Sequence, residues 1–310
     1  MRARSPLPIP NGWFAVALSD EIARGAVAIR RYFDQDLVLF RGESGRITVV
    51  DPYCPHLGAH LGHGGRVVGE HVRCPFHGWQ FDAEGVCRVI EYAKRIPANA
   101  RLKCWPALER YGFVFVWRDA RGAAPGFELP ELPEASSPEW STHQRYEWVI
   151  RAHGQELGEN GVDRAHFRYV HGTLEVPDMT ATEDGPLRRA HQAIEMRTPR
   201  GDVKGAIEAR SFGMGFSVTR FTGICETLEI ATMTPVDAAT SHVRYAFTQP
   251  RVHGQDPKGG VAAAIIRDIV KQTNEDVAIW ENKLFRETPV LCDGDGPIAQ
   301  YRRWCQQFYR

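Results

Sequence analysis

The chain has 310 residues, 43% hydrophobic and 25% charged, and its 38 Lys and Arg balance 38 Asp and Glu. Neutral balance gives no reason to expect nucleic acid or an anionic membrane surface as partner, and the length leaves room for two domains. No apolar run approaches the ~20 residues needed to span a bilayer, and the Pro-rich start, Met1 to Trp13, has no secretory apolar stretch. The expectation is a cytoplasmic protein whose seven Cys serve metal ligation or burial rather than disulfides.

From Val27 to Trp117 the chain consists of short β-rich runs broken by Gly and Asp: Val27-Ala28-Ile29, Leu37-Val38-Leu39-Phe40, Ile47-Thr48-Val49-Val50 and Phe113-Val114-Phe115-Val116-Trp117. They predict a small antiparallel β unit. Arg118 to Trp140 is rich in Pro, Gly, Ala and Glu and is the candidate boundary, giving domains over residues 1–120 and 121–310. Beyond it, Gly154 to Val170 predicts a helix ending at Gly172. Leu187 to Arg251 alternates as strands, and Gly259 to Arg286 is the longest helical pattern. The expected class is α+β: an antiparallel β domain, then a helix-flanked, helix-grip-like antiparallel sheet.

Within the β unit, Cys54-Pro55-His56 is followed after seventeen residues by Cys74-Pro75-Phe76-His77. Two Cys and two His in close pairs suit a tetrahedral metal, and structural zinc is the first reading. Each close pair, however, joins a Cys to a His, on loops punctuated by Gly58, Gly62, Gly64, Gly65 and Gly78. A [2Fe–2S] cluster with two Cys on one iron and two His on the other needs two such loops, each giving one ligand to each metal. The pattern C-P-H…C-P-F-H-G-W resembles the Rieske family. Respiratory Rieske proteins add a disulfide bracing the loops; Ala59 and Phe76 stand where its Cys would be, so the chain resembles the oxygenase branch. His60, His63, His71 and Cys87 lie nearby as competing donors.

In the second half, Asp163, His166 and His171 form D-x₂-H-x₄-H. Asp163 and His166 share a helix face. His171 rejoins them only if the helix ends there, and Gly172 is the natural residue for that ending. A third ligand can come from the long C-terminal helix, whose side chains advance about 100° per residue. With Ile269 at zero, Asp276 falls at about −20°, inside an apolar stripe with Ile265, Trp280 and Leu284, while Asp268, Glu275 and Glu281 lie about 100–120° away. A carboxylate on a buried stripe calls for a cation. Two imidazoles and a carboxylate on one side of an iron leave positions open for O₂ and substrate. Satisfied interior histidines and an Arg-paired or capping Asp276 are the competing readings.

Asn160-Gly161-Val162-Asp163-x₂-His166-x₄-His171 resembles the iron motif of Rieske non-haem oxygenase α subunits. That resemblance implies Fe(II) on His166, His171 and Asp276. It also implies that Asp163 bridges the partner subunit's His77 to His166 in a homotrimer. The opening Pro10-Asn11-Gly12-Trp13-Phe14 resembles oxygenase components of bacterial 3-ketosteroid 9α-hydroxylases and the related cholesterol 7-desaturases. So do Trp280-Glu281-Asn282-Lys283, Pro289 to Pro297, Arg302-Arg303-Trp304 and Gln307-Phe308-Tyr309. The implied activity is O₂-dependent hydroxylation or desaturation of an apolar steroid- or sterol-like molecule. Trp280 is the chosen pocket residue, with Phe212, Met214, Phe216, Phe221, Ile224 and Met233 as candidate lining. The chain shows no dinucleotide motif, so a separate flavin and iron–sulfur reductase is expected to bring electrons from NAD(P)H. The alternatives are a tailoring oxygenase or O-demethylase acting on a non-steroid, and a Rieske electron carrier without oxygenase activity.

Overall fold

The structure, a computed structural model, describes residues 7–198 and 201–310. They form two compact units: Phe14–Gly126, and the residues up to Trp13 together with Phe127–Arg310. The first unit is built of short strands: β1 (Gly12–Leu18), β2 (Val27–Tyr32), β3 (Gln35–Arg41), β4 (Ile47–Val50), β5 (Arg66–Val68), β6 (His71–Arg73), β7 (Gln80–Phe81), β8 (Cys87–Val89), β9 (Ala107–Arg110) and β10 (Phe113–Arg118). They pair as three sheets, β1-β10-β9, β2-β3-β4 and β5-β6-β7-β8, with β9 and β10 and all neighbours in the other two sheets antiparallel. The turn between β2 and β3 has no Gly. Phe33 and Asp34 both take positive φ, +55° and +63°, the geometry of a two-residue hairpin turn. The Phe33 ring offsets the cost by stacking on Trp105 at 5.7 Å. The core around Val38, Phe40, Leu61, Val72 and Phe81 encloses the thiols of Cys54 and Cys74.

The second unit contains β11 (Gln144–Ile150), α1 (Gly154–Glu159), α2 (Ala165–Tyr169), β12 (Met179–Asp184), β13 (Leu187–Thr198), β14 (Gly201–Phe212), β15 (Phe216–Thr222), β16 (Thr227–Pro235), β17 (Ser241–Thr248), α3 (Gly260–Trp280) and α4 (Ile298–Cys305). Seven strands form one antiparallel sheet in the order β11-β17-β16-β15-β14-β13-β12. Consecutive strands are neighbours except β11, which pairs with β17 at the edge. Helix α3 runs against β11 and β16 and is tied there by Trp148 Nε1, which donates to Asn274 Oδ1 at 2.8 Å. Its buried residues Ile266, Thr273, Asp276 and Trp280 lie on one face.

Two helical expectations change. The single helix over 154–170 is broken: a 3₁₀ turn covers Asn160–Val162, and Asp163 leaves the helical region at φ −81°, ψ 108°. The cause is local. The Asp163 carboxylate accepts from the N–H groups of Ala165 (3.1 Å) and His166 (3.3 Å), so it starts a new helix instead of continuing the old one. The C-terminal helix stops at Trp280 rather than Arg286, and Leu284 is 64% exposed.

The C-terminal segment holds α1 in place. Arg302 grips Glu159 through Nε (2.6 Å) and Nη2 (3.1 Å). Tyr301 donates to the Gln155 carbonyl at 3.3 Å, and Val162 packs with Tyr301, Trp304 and Phe308. The Glu159 side chain is 10% exposed. Arg302→Ala therefore strips a mostly buried carboxylate of its two-pronged partner and should cost roughly 3 kcal/mol. Arg302→Lys should cost less. Thermal unfolding measures both, and an unchanged melting temperature for Arg302→Ala contradicts the clamp.

Candidate metal centres

In the first unit, Cys54 and Cys74 close two loops of the same design. Cys54 N–H donates to the Ala59 carbonyl at 2.9 Å, and Gly58 N–H donates to the Cys54 carbonyl at 3.0 Å. Cys74 N–H donates to Trp79 at 2.8 Å, and Gly78 N–H donates to Cys74 at 3.2 Å. Each loop reverses at a Gly with positive φ, +75° at Gly58 and +70° at Gly78, where a side chain is strained. The thiols point into the core, 2% and 3% exposed, and belong to the same buried cluster. The half-buried imidazoles of His56 and His77 meet with ring centres 4.6 Å apart. The donors thus fall into a sulfur pair and a nitrogen pair, which fits a two-iron cluster better than one tetrahedral ion.

Two further observations fit a metal here. His56 Nδ1 is shut off from solvent with no hydrogen-bond partner among the described residues, while its ring stacks on Trp79 at 4.5 Å. Burial pushes the Cys54 thiol up to about 12, a cost that a coordinated cation reverses. The competing donors have other contacts. His60 accepts from Gly62 N–H at 3.1 Å and lies 3.4 Å from Asp36; Cys87 Sγ approaches the Val89 carbonyl at 3.7 Å.

In the second unit, one donor atom from each of His166, His171 and Asp276 lies within 4.8 Å of the others. His166 sits on α2. His171 comes just after it, where the Val170 N–H closes the helix on His166 and Gly172 turns away at φ +74°. Asp276 comes from α3, 8% exposed. His171 Nε2 is 3.3 Å from Asp276 Oδ2, and its Nδ1 is 3.2 Å from Glu275. His166 Nδ1 is 2.6 Å from the Asp163 carbonyl. Each ring therefore has its Nδ1 side occupied, the arrangement that leaves Nε2 for a metal. Burial holds His166 below the ordinary imidazole range. At His171 burial also opposes charge, but the Asp276 and Glu275 carboxylates outweigh it and raise the ring. Paired imidazoles and one carboxylate match the donor set of a non-haem Fe(II) centre with open positions.

These groups border a cavity of about 270 Å³. Four of the candidate lining residues, Met214, Phe216, Phe221 and Met233, face it, together with Trp280. Trp280 donates to Asn160 Oδ1 at 3.0 Å. Phe212 and Ile224 do not face it. Strand alternation points Ser211 inward instead of Phe212, and Ile224 is 36% exposed in the turn after β15. Helical phase put Glu275 on the solvent side; its flexible side chain nevertheless reaches His171, which the spacing alone could not signal. The contact from Asp163 to the His166 ring is through the main-chain carbonyl, while the carboxylate caps α2.

Residues 12–106 match the Rieske [2Fe-2S] domain family, and residues 116–309 match the 3-ketosteroid 9α-hydroxylase C-terminal domain family. The chain belongs to the 3-ketosteroid 9α-hydroxylase family of Rieske oxygenases. It is 33% identical to the cholesterol 7-desaturase of Xenopus laevis, spanning 100% of this chain and 74% of that protein. It is 31% identical to a probable 3-ketosteroid-9-alpha-monooxygenase oxygenase component of Rhodococcus rhodochrous, with 96% and 79% covered. Dicamba monooxygenase bound to dicamba shares the fold at a TM-score of 0.75 and 19% identity, over 97% of each chain. Pseudomonas putida NdmA with theobromine does so at 0.77 and 20%, over 96% and 89%. As a Rieske oxygenase of this family the protein is a non-haem iron monooxygenase catalytic subunit, so a role as electron carrier alone is set aside.

The paired loops yield a direct prediction. Gly78→Val forces a β-branched residue into φ +70° and against the Arg73 side chain, costing about 1–2 kcal/mol at the turn. Visible cluster absorption per chain should fall, and full cluster occupancy contradicts this account of the loop.

Proposed function

We propose that this protein is the terminal oxygenase of a multicomponent system that oxidises an apolar steroid- or sterol-like substrate. Cys54, His56, Cys74 and His77 would hold the [2Fe–2S] cluster, and His166, His171 and Asp276 the mononuclear Fe(II). The observation that carries the reading is the convergence of His166, His171 and Asp276 within 4.8 Å beside an apolar cavity. When bound, the cluster supplies single electrons and the Fe(II) supplies O₂ activation for hydroxylation or desaturation at an unactivated C–H bond.

The chain's own groups prepare the site. Asp163 orients the His166 ring through its carbonyl, and Glu275 orients His171. Phe216, Phe221, Met233 and Trp280 keep the cavity wall apolar and exclude water. Asp163 spends Oδ1 on the α2 cap, which leaves Oδ2 for a hydrogen bond to the partner subunit's His77 in a homotrimer. The membership in an oxygenase family and the lack of a dinucleotide motif support a separate flavin and iron–sulfur reductase using NAD(P)H. No described helix is long and apolar enough to cross a membrane, and seven unpaired Cys fit the reducing cytoplasm.

Asp276→Ala is the decisive variant. Iron-loaded wild-type protein should carry about three irons per chain and the variant about two, with the cluster's visible spectrum unchanged and product formation abolished. Retained turnover contradicts the assignment. Asp163→Ala should keep its iron and slow reduction of the mononuclear site in single-turnover measurements; a normal rate contradicts the bridge.

A further inference from the structure

One carboxyl group in the cavity has no part in the metal site. The two-residue period of β16 turns Glu229, Ala231 and Met233 toward the cavity, and Thr219 of β15 stands beside Glu229 in register. Glu229 is 6% exposed; its backbone is paired in the sheet, but among the described residues no group hydrogen-bonds or ion-pairs with its carboxyl. A buried carboxyl left in that condition is destabilising, and an apolar side chain would serve the sheet better. Burial alone pushes the carboxyl up to about 8, so near neutral pH it is mostly a neutral acid, offering one O–H and one acceptor oxygen. Of the other titratable groups near it, Tyr245 on β17 is held far above its ordinary range by burial and so stays neutral, and Asp276 on α3 belongs to the metal site.

We propose that Glu229 is the polar anchor of the substrate pocket, hydrogen-bonding a neutral oxygen, a ring hydroxyl or ketone, on an otherwise apolar polycyclic substrate. The anchor rests on the sterol-like reading above and narrows it. The substrate carries at least one uncharged oxygen, set against Glu229 while its apolar body lies along Phe216, Phe221 and Met233.

The test is equilibrium binding to iron-loaded protein, followed by tryptophan fluorescence, since Trp280 lines the cavity. Three probes suffice: cholesterol, its matching ketone, and the hydrocarbon that lacks only that oxygen. Wild-type protein should bind the oxygenated probes about 10- to 100-fold more tightly than the hydrocarbon. Glu229→Gln keeps a donor and an acceptor and should retain the preference. Glu229→Leu should erase it, with cluster absorption and near-ultraviolet circular dichroism reporting an intact fold. The ketone needs the acid's O–H, so in wild-type protein its advantage should fall as pH rises through about 8; this arm stands even if Glu229→Leu fails to fold. A wild-type protein without preference, a preference that survives in Glu229→Leu, or a ketone advantage unaffected by pH overturns the anchor and leaves the sterol reading intact. Failure of all three probes to bind overturns the sterol reading, and the anchor with it.

Discussion

Asp276 places a carboxylate on the buried face of α3, where it is 8% exposed, and such a group is strongly unfavourable unless a cation or proton donor meets it. The ligand segment is shaped by that need. Two imidazoles must come from one short stretch of chain, yet five residues of regular helix would put His171 about 140° around from His166. The backbone solves this by abandoning the helix twice. It breaks at Asp163, whose carboxylate starts α2, and it ends α2 before His171, with Gly172 turning the chain away. The segment is then held from behind by the C-terminal residues, through Arg302 on Glu159 and Tyr301 on Gln155.

The β unit meets a different demand with a different device. Its candidate ligands lie on loops rather than helices, and their geometry comes from the backbone: two loops with the same pair of N–H···O=C bonds and the same left-handed Gly. The thiols are anchored in the hydrophobic core and the imidazoles lie nearer the surface. Rigid loops with buried sulfur suit electron transfer, which asks for little reorganisation. A centre bordered by a cavity suits chemistry that must admit a substrate.

Much of this was legible in the amino-acid sequence because the relevant signals are local. The C-x-H and C-x-x-H pairs, the β-rich runs and the apolar phase of Asp276 on α3 each need only a few residues of context. The break at Asp163 was not legible, because helical periodicity continues through it and the competing cap is a side-chain choice. Nor was the turn at Phe33-Asp34, where packing on Trp105 stands in for the usual Gly. The C-terminal Arg302 carried family resemblance but no visible task, and Tyr301 carried no signal, until the fold set them against α1. Glu229 reads as an ordinary outward strand residue until the register reveals which face of β16 looks into the cavity.

Two metal centres of different kind in one polypeptide are the centre of this account, and anomalous diffraction at the iron edge from iron-loaded crystals tests it most directly. The account predicts a close pair of iron peaks between the thiols of Cys54 and Cys74 and the rings of His56 and His77. It predicts a separate single peak bound by Nε2 of His166, Nε2 of His171 and the Asp276 carboxylate. Crystals that show the pair but no iron at the second position would contradict it.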